Sequence, residues 1–412
     1  MRSTEYKIKD ICKIKSGKRL PAGQNFAIAK TDYKYIRARD IKNGKIDTSD
    51  LAYISYETHQ KIRKYIINEG DIALTIAGTV GEIGFAGEAV DGVNLTENAV
   101  RLTEFKKDII NGKYLMYLLS QKPYKSYMQV ISGGVAQPKL GIYKIEKIKV
   151  TVPQIRQQDK IASILSTYDD LIEKNNRKIA ILQEMAQEIY KEWFVRFRFP
   201  GYKTAKFKDG IPEGWKYRPF GEIVTCERGI SYSSEEIDCE DGVNLINLKN
   251  INAYGGFRLD GTKKYNGKYK NNQVVQCGDL VMGVTDMTQD RRTVGAVALI
   301  PPFDNTCVIS ADLIKVVSHI DNIFIYCLCK YGYYSKFFSQ FANGSNVLHL
   351  KPSSLRNQKV LIPTEELINK FVKIVKPIND TINNLNRQND TLTQQRDLLL
   401  PRLMSGKLEV KA

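Results

Sequence analysis

Apolar positions along this chain follow two regimes that alternate twice. Through residues 1–153, and again through 201–363, short apolar runs are punctuated by Gly, Pro, Asn and Asp. That is the pattern of strands and short helices separated by turns. After Pro153 and Pro363 the apolar residues recur at alternating spacings of three and four, the period of a helix with one buried stripe. The first stripe is Ile161, Leu165, Tyr168, Ile172, Asn175, Ile179, Leu182, Ala186, Ile189 and Trp193. The second is Phe371, Val375, Ile378, Ile382, Leu385, Asn389, Leu392, Arg396, Leu399 and Leu403, with only Asn175, Asn389 and Arg396 interrupting the two. Two stripes of equal length predict a coiled coil in which they bury each other, and one Asn on each is a candidate register marker. Pro377 predicts a kink or a break in the second helix.

The two stripes are part of a larger duplication. Tyr114-Leu-Met-Tyr-Leu-Leu parallels Phe324-Ile-Tyr-Cys-Leu-Cys at an offset of 210 residues, and the offset holds through Tyr124/Tyr334, Leu140/Leu350 and Pro153/Pro363. Upstream the register drifts by a few residues, as variable loops on a common scaffold would make it do. The expected fold is α+β, with two pseudo-symmetric α/β domains separated by an antiparallel coiled coil of two long helices. The expected boundaries are 1–153, a long helix over 154–200, 201–363, and a second long helix over 364–412. Strands are predicted at 33–36, 72–76 and 100–102, with counterparts at 280–284 and 313–317. One helix is predicted per domain, near 113–127 and 323–338. Gly78, Gly81, Gly84 and Gly87 recur without the spacing of a phosphate-binding loop and read as turns.

Charge adds a partner to this picture. Sixty-two Lys and Arg against 45 Asp and Glu give +17 and a pI near 9.3 over 412 residues. Such an excess suits a protein that holds a polyanion. Two helices related by a two-fold axis run antiparallel, and roughly 40 residues make a rod of about 60 Å. That exceeds one DNA turn of about 34 Å, so two unlike domains on such a rod would read a split DNA target. The competing expectation is a DNA-independent two-domain scaffold. No run of about 18 apolar residues suggests a membrane span, and the first residues lack the pattern of a signal peptide. Seven cysteines, odd in number and unevenly placed, suit reduced thiols in a cytoplasm.

Motifs for chemistry are missing. Ile300-Pro-Pro-Phe303 is the nearest approach to an adenine-methyltransferase loop, but Ile300 cannot hydrogen-bond a flipped base. No Walker A sequence, nuclease pattern or metal-ligand spacing is evident, and His59, His319 and His349 are far apart in sequence. The expectation is a chain with no catalytic residue, no metal and no cofactor of its own.

Base reading needs polar side chains on loops that enter a groove. The candidates in the first domain are Arg37, Arg39, Lys42, Asn43, Thr79, Gln137 and Lys139. In the second they are Lys249, Asn250, Asn252, Tyr254, Asp286, Thr288, Gln289, Asp290, Arg291, Arg292, Asn343, Ser345, Asn346 and His349. Ion pairing is the competing role for Arg37 and Arg39, and for Arg291 and Arg292 with Asp286 and Asp290. Met185, Phe194, Phe197 and Phe199 are candidates for a partner subunit, but docking on their own domain is the favoured expectation for the aromatic cluster after Trp193.

Several segments resemble the specificity subunit of type I restriction–modification enzymes, and the likeness spans essentially the whole chain. They are Leu399-Leu-Pro-Arg-Leu-Met-Ser-Gly-Lys-Leu-Glu-Val410, Trp193-Phe-Val-Arg-Phe-Arg-Phe-Pro-Gly201 and Ile211-Pro-Glu-Gly-Trp215. Ala136-Gln-Pro-Lys-Leu140 and Val284-Thr-Asp-Met-Thr-Gln-Asp-Arg-Arg292 are similar to segments of that family's target-recognition domains. The resemblance implies two target-recognition domains that read a bipartite double-stranded DNA sequence. It implies two modification subunits, which carry S-adenosylmethionine, and restriction subunits that consume ATP with Mg. A type II combined methyltransferase–nuclease that borrows such a subunit is the alternative setting.

Overall fold

The computed structural model describes residues 3–133 and 138–410. Packing divides the chain into two compact units, residues 1–173 with 389–412, and residues 174–388. Neither long helix stands as a module of its own, because each contributes one half to each unit. This differs from the four-part division read from the sequence.

In the first unit Ser3–Lys7 pairs antiparallel with Lys149–Pro153, so the domain opens and closes on one ribbon. Inside that ribbon lie two sheets. One has the order Lys13–Ser16, Ala99–Thr103, Ile72–Thr75 and Ile83–Phe85, extended by Gly44–Ile46 and Ile41–Lys42. The other runs Ala52–Ile54, Tyr33–Ile36, Val93–Leu95 and Ile66–Ile67, with its central pair parallel. Successive side chains of a strand point to opposite faces, and Ile72–Thr75 is covered on both. Ile72 and Leu74 join Tyr114, Leu118, Ile161 and Leu165 in one core, whereas Ala73 joins Ile36, Ile67 and Leu95 in another. Double burial is why this segment reads as an unbroken apolar run.

The second unit repeats the plan. Lys216–Pro219 pairs with Lys359–Ile362. One sheet has the order Val224–Arg228, Leu313–Ser318, Leu280–Gly283, Val297–Leu299. The other has Lys263–Tyr265, Val243–Ile246, Cys307–Ile309, Val274–Val275, again with its central pair parallel. An ion pair recurs at matching strand positions, buried for Arg101 with Asp71 at 3.3 Å and half-buried for Lys315 with Asp279 at 2.8 Å. So does a close backbone approach: a Cβ would meet the Thr96 carbonyl at 2.0 Å from Gly17, and that of Ser310 at 2.1 Å from Gly229.

Both long helices form, over Ile155–Tyr190, which continues as a π-helical turn at Lys191–Val195, and over Glu365–Met404. Every position of both stripes is buried or half-buried. In the first unit Ile161 and Leu165 share a core with Leu403, so the start of one helix lies against the end of the other. In the second unit the rings of Tyr190 and Trp193 each lie 5.9 Å from that of Phe371, in the same antiparallel sense. Arg396, an interruption in the stripe, reaches Asp169 at 2.6 Å, and that carboxylate also accepts the Tyr117 hydroxyl.

Three expectations need correction. The second helix has no break at Pro377, which lies on the exposed side where water can satisfy the carbonyl left without a donor. The single helix expected in each domain is two: Gly112–Leu119 and Lys122–Ser132, then Asn322–Tyr331 and Tyr334–Ser339, and the first domain has a further helix at Tyr56–Ile62. Pro123 lies in the first turn of its helix, where no donor is lost, and so starts a new helix. Gly84 sits within a strand, where a Cβ would press on the Lys45 carbonyl at 2.7 Å, so it serves close packing instead of a turn. The aromatic cluster docks on its own domain, as expected: Phe194 and Phe199 are buried in the second unit's core and Phe197 packs against it, leaving Met185 as the exposed member of that set.

Candidate nucleic-acid interface

The strand pairings bring the expected loops together within each domain. In the first, Ala77 bridges to Lys139, which sets the exposed Thr79 loop beside the exposed Lys139 side chain. Gln137 lies outside the described residues. In the second, Thr285–Asp286 pairs with Leu348–His349, and Asn343 exchanges backbone hydrogen bonds with His349. Gln289 Nε2 donates to the Ser345 carbonyl at 2.7 Å, tying the loop after Asp286 to the turn containing Ser345 and Asn346. Thr288, Gln289, Asp290, Arg292, Asn343, Ser345, Asn346 and His349 are exposed there.

Other candidates are committed to the fold. Arg37 is bound to Asp40 through Nε at 3.0 Å and reaches Asp50, while Arg39 lies 3.1 Å from Asp50. Lys42 pairs with Asp47 at 3.2 Å. These pairs are solvent-facing apart from the Arg37–Asp40 contact, so the cations remain available to phosphate at little cost. Asn250 is fully buried. Its Oδ1 accepts the Asn247 N–H, and its Nδ2 donates to the Arg258 carbonyl and to Thr262. That is the turn-capping task of Asp40 in the first domain, which removes Asn250 from the readers. Lys249 beside it is exposed, and Asn252 is half-buried with Nδ2 donating to Phe257.

Asp286 is also structural. It is 3% exposed, and its carboxylate accepts the N–H groups of Thr288 and Thr293 and the Thr288 hydroxyl. Burial pushes its pKa up, but these donors outweigh it and hold the group below its ordinary 3.8. A depressed carboxyl stabilises the folded loop above the ordinary pKa, and that contribution is lost as pH falls through the lower folded value. Amide exchange at Thr288 and Thr293 is therefore expected to accelerate below about pH 4 while core amides such as Val281 stay protected. Unchanged exchange at the two threonines would contradict this role.

Arg291 is half-buried at a positive φ of 54°, and its Nη1 donates to the Ser339 carbonyl at 2.5 Å. It anchors the loop to the helix beneath. Arg292 is exposed and paired with Asp290 at 2.5 Å. The Tyr254 N–H donates to the Arg292 carbonyl, and both residues line one groove with the Tyr254 side chain exposed. Behind them lies a groove of about 500 Å3 that also involves Lys330, Tyr333, Ser335 and Lys336, which sequence reading missed. A signal for them was present in the duplication, since Ser335 stands at the 210 offset from Lys125.

Among the described residues, no group of three His, Cys, Asp or Glu side chains is placed to hold a metal, and no helix is long and apolar enough to cross a membrane. His59 stacks on Tyr33 and bonds Asn94 at 2.7 Å, a packing role. Cys327 and Cys329 are buried, and burial pushes the Cys329 thiol up to about 12.

Known proteins share this arrangement. The chain is 27% identical over 428 aligned positions to the type I restriction enzyme MjaIX specificity subunit of Methanocaldococcus jannaschii, covering 98% of this chain and 93% of the relative. It is 23% identical over 443 positions to the HindI specificity subunit of Haemophilus influenzae, covering 91% and 94%. A crystal structure of a type I restriction-modification S subunit from M. genitalium superposes with a TM-score of 0.60 at 16% identity, over 98% and 96% of the two chains, a likeness of fold. The type I restriction modification DNA specificity domain matches residues 2–184 and again 212–394, the same 210-residue step found in the duplication. The chain belongs to that family, with one specificity domain in each half.

Proposed function

We propose that this chain is the non-catalytic DNA-specificity subunit of a type I restriction–modification system, each domain reading one half of a bipartite, asymmetric site in double-stranded DNA. The observation that carries this reading is a shared scaffold with unlike loops. Between matching strands the offset grows from 208 residues (Ile72 to Leu280) to 214 (Phe85 to Leu299), so the second domain's loop is six residues longer. The added residues include the polar run Thr288–Arg292, exposed except at Arg291. Two modification subunits supply S-adenosylmethionine-dependent methylation, and restriction subunits supply ATP- and Mg-dependent cleavage. Leu171, Ile181, Met185, Ile374 and Leu398, exposed on the long helices away from the stripes, are their docking points. The assembly works in the cytoplasm, where its DNA is.

Two measurements test this. Duplex binding by the chain with its modification subunit should weaken steeply with salt, as phosphate neutralisation requires, and exceed that of the chain alone. Salt-independent binding would favour a DNA-independent scaffold, and equal binding with and without the modification subunit would count against its docking on the helices. Arg292→Ala should weaken cognate binding by about 1–3 kcal/mol if its guanidinium reads a guanine, and relax specificity at one position. An equal loss on every sequence would make Arg292 a phosphate contact.

A further inference from the structure

The groove in the second unit has the build of a ligand pocket. Its volume, about 500 Å3, lies within the range of small-ligand sites. Val294 and Ala296 give it a buried apolar floor. Arg292, Lys330 and Lys336 line it against one carboxylate, Asp290. Tyr254 and Tyr333, both more than 60% exposed, offer ring faces there. Ser335 also lines the groove, and its buried hydroxyl has no hydrogen-bond partner. Buried polar groups are normally paired, so an orphan hydroxyl marks a place where a bound group completes the pairing.

The duplication shows what stands here in the other copy. Gly81 and Gly295 occupy matching turns: a Cβ on the first would lie 3.6 Å from the Lys125 carbonyl, and one on the second 2.7 Å from that of Ser335. Glu82 and Lys125 of the first domain therefore correspond to Ala296 and Ser335. Glu82 and Lys125 form an ion pair at 3.0 Å, and Glu82 also accepts the Asn43 N–H. In the second domain both members are replaced by small residues, while cations collect around the space.

We propose that this space is a mononucleotide pocket that receives one nucleotide everted from the bound DNA. The phosphate sits among Arg292, Lys330 and Lys336. The base lies over Val294 and Ala296 beside the tyrosine rings, with its edge in reach of the Ser335 hydroxyl. Everted bases are read in this way, by stacking and by hydrogen bonds to their edges. The inference rests on the DNA-reading role proposed above, although nucleotide binding can be measured without it.

The test rebuilds the first domain's ion pair. Ala296→Glu with Ser335→Lys fills the space, and an unchanged melting temperature reports that the fold is kept. The purified full chain is titrated with each deoxynucleoside monophosphate, each nucleoside and inorganic phosphate. Wild type should bind at least one monophosphate, and the double variant at least tenfold more weakly. Ser335→Ala, a smaller change that keeps the cavity open, should weaken it several-fold. A duplex carrying 2-aminopurine at successive positions of the site, mapped from the host's methylated adenines, is then bound by the complex with modification subunits. Leaving aside the methylated adenines, which the modification subunits themselves evert, fluorescence should rise at one position of one half-site with wild type and not with the double variant.

Equal responses from wild type and double variant would overturn the pocket while leaving DNA reading intact. Loss of duplex binding by wild type itself would instead overturn the proposed function. Monophosphate binding without any 2-aminopurine response would make the occupant a free nucleotide, and inorganic phosphate binding as tightly as a nucleotide would make it a phosphate seat. Either result overturns the everted base.

Discussion

Asp71→Ala is expected to destabilise the first unit by about 3–5 kcal/mol, the usual cost of stranding one charge of a buried pair. Asp71 and Arg101 expose only 7% and 10% of their side chains. Removing the carboxylate leaves a guanidinium with nowhere to solvate, and also frees the Asn68 N–H that Asp71 accepts in the preceding turn. Replacing both partners, Asp71→Leu with Arg101→Met, should recover most of the loss, because the desolvation cost disappears together with the attraction. Asp279→Ala in the second unit should cost less, since its pair with Lys315 is 15% and 18% exposed. Urea unfolding followed by amide exchange in each unit would measure these losses. A loss below about 1 kcal/mol for Asp71→Ala, the value of an exposed pair, would show that water reaches the site.

Phe371→Ala is expected to cost the second unit a similar amount, about 3–5 kcal/mol. The ring is fully buried, with Phe194 at 5.0 Å, Tyr190 and Trp193 at 5.9 Å, and Phe324 at 6.3 Å. Neighbours drawn from the first long helix with its π-helical turn and from the domain's own helix cannot all collapse into the space it leaves. Phe371→Leu, which retains most of the volume, should cost much less. Equal losses for the two variants, by the same unfolding measurement, would mean that ring-to-ring geometry and not filled volume holds the cluster.

Regular burial was what the sequence made legible. Periods of two and of 3.6 follow directly from backbone geometry, so the strands at 33–36 and 72–75 and both stripes could be placed before any coordinates. The copied offset gave the architecture. Residues whose task depends on neighbours distant in sequence were not legible. Asn250 and Asp286 have reader chemistry, and only the positions of Arg258, Thr262 and Thr293 turn them into braces. Arg396 looked like a flaw in a stripe until Asp169, 227 residues away, was set beside it. Pro377 carried a local penalty that a 40-residue helix packed along its length absorbs. The groove was hidden for the opposite reason, since Ala296 and Ser335 are informative by what they lack relative to Glu82 and Lys125.

Residues 389–412 belong to the first unit. Their packing has a consequence for the order in which the protein matures on the ribosome. Ile161 and Leu165 are made before the second unit, yet Leu403 and the flanking Leu399, Leu400 and Met404 that share their core are translated only after it. The N-terminal domain must therefore wait, with an apolar helix face uncovered, while the whole second domain is synthesised. A nascent chain stalled before residue 389 would present that face to chaperones, and a late frameshift would damage the half of the protein farthest from it in the gene.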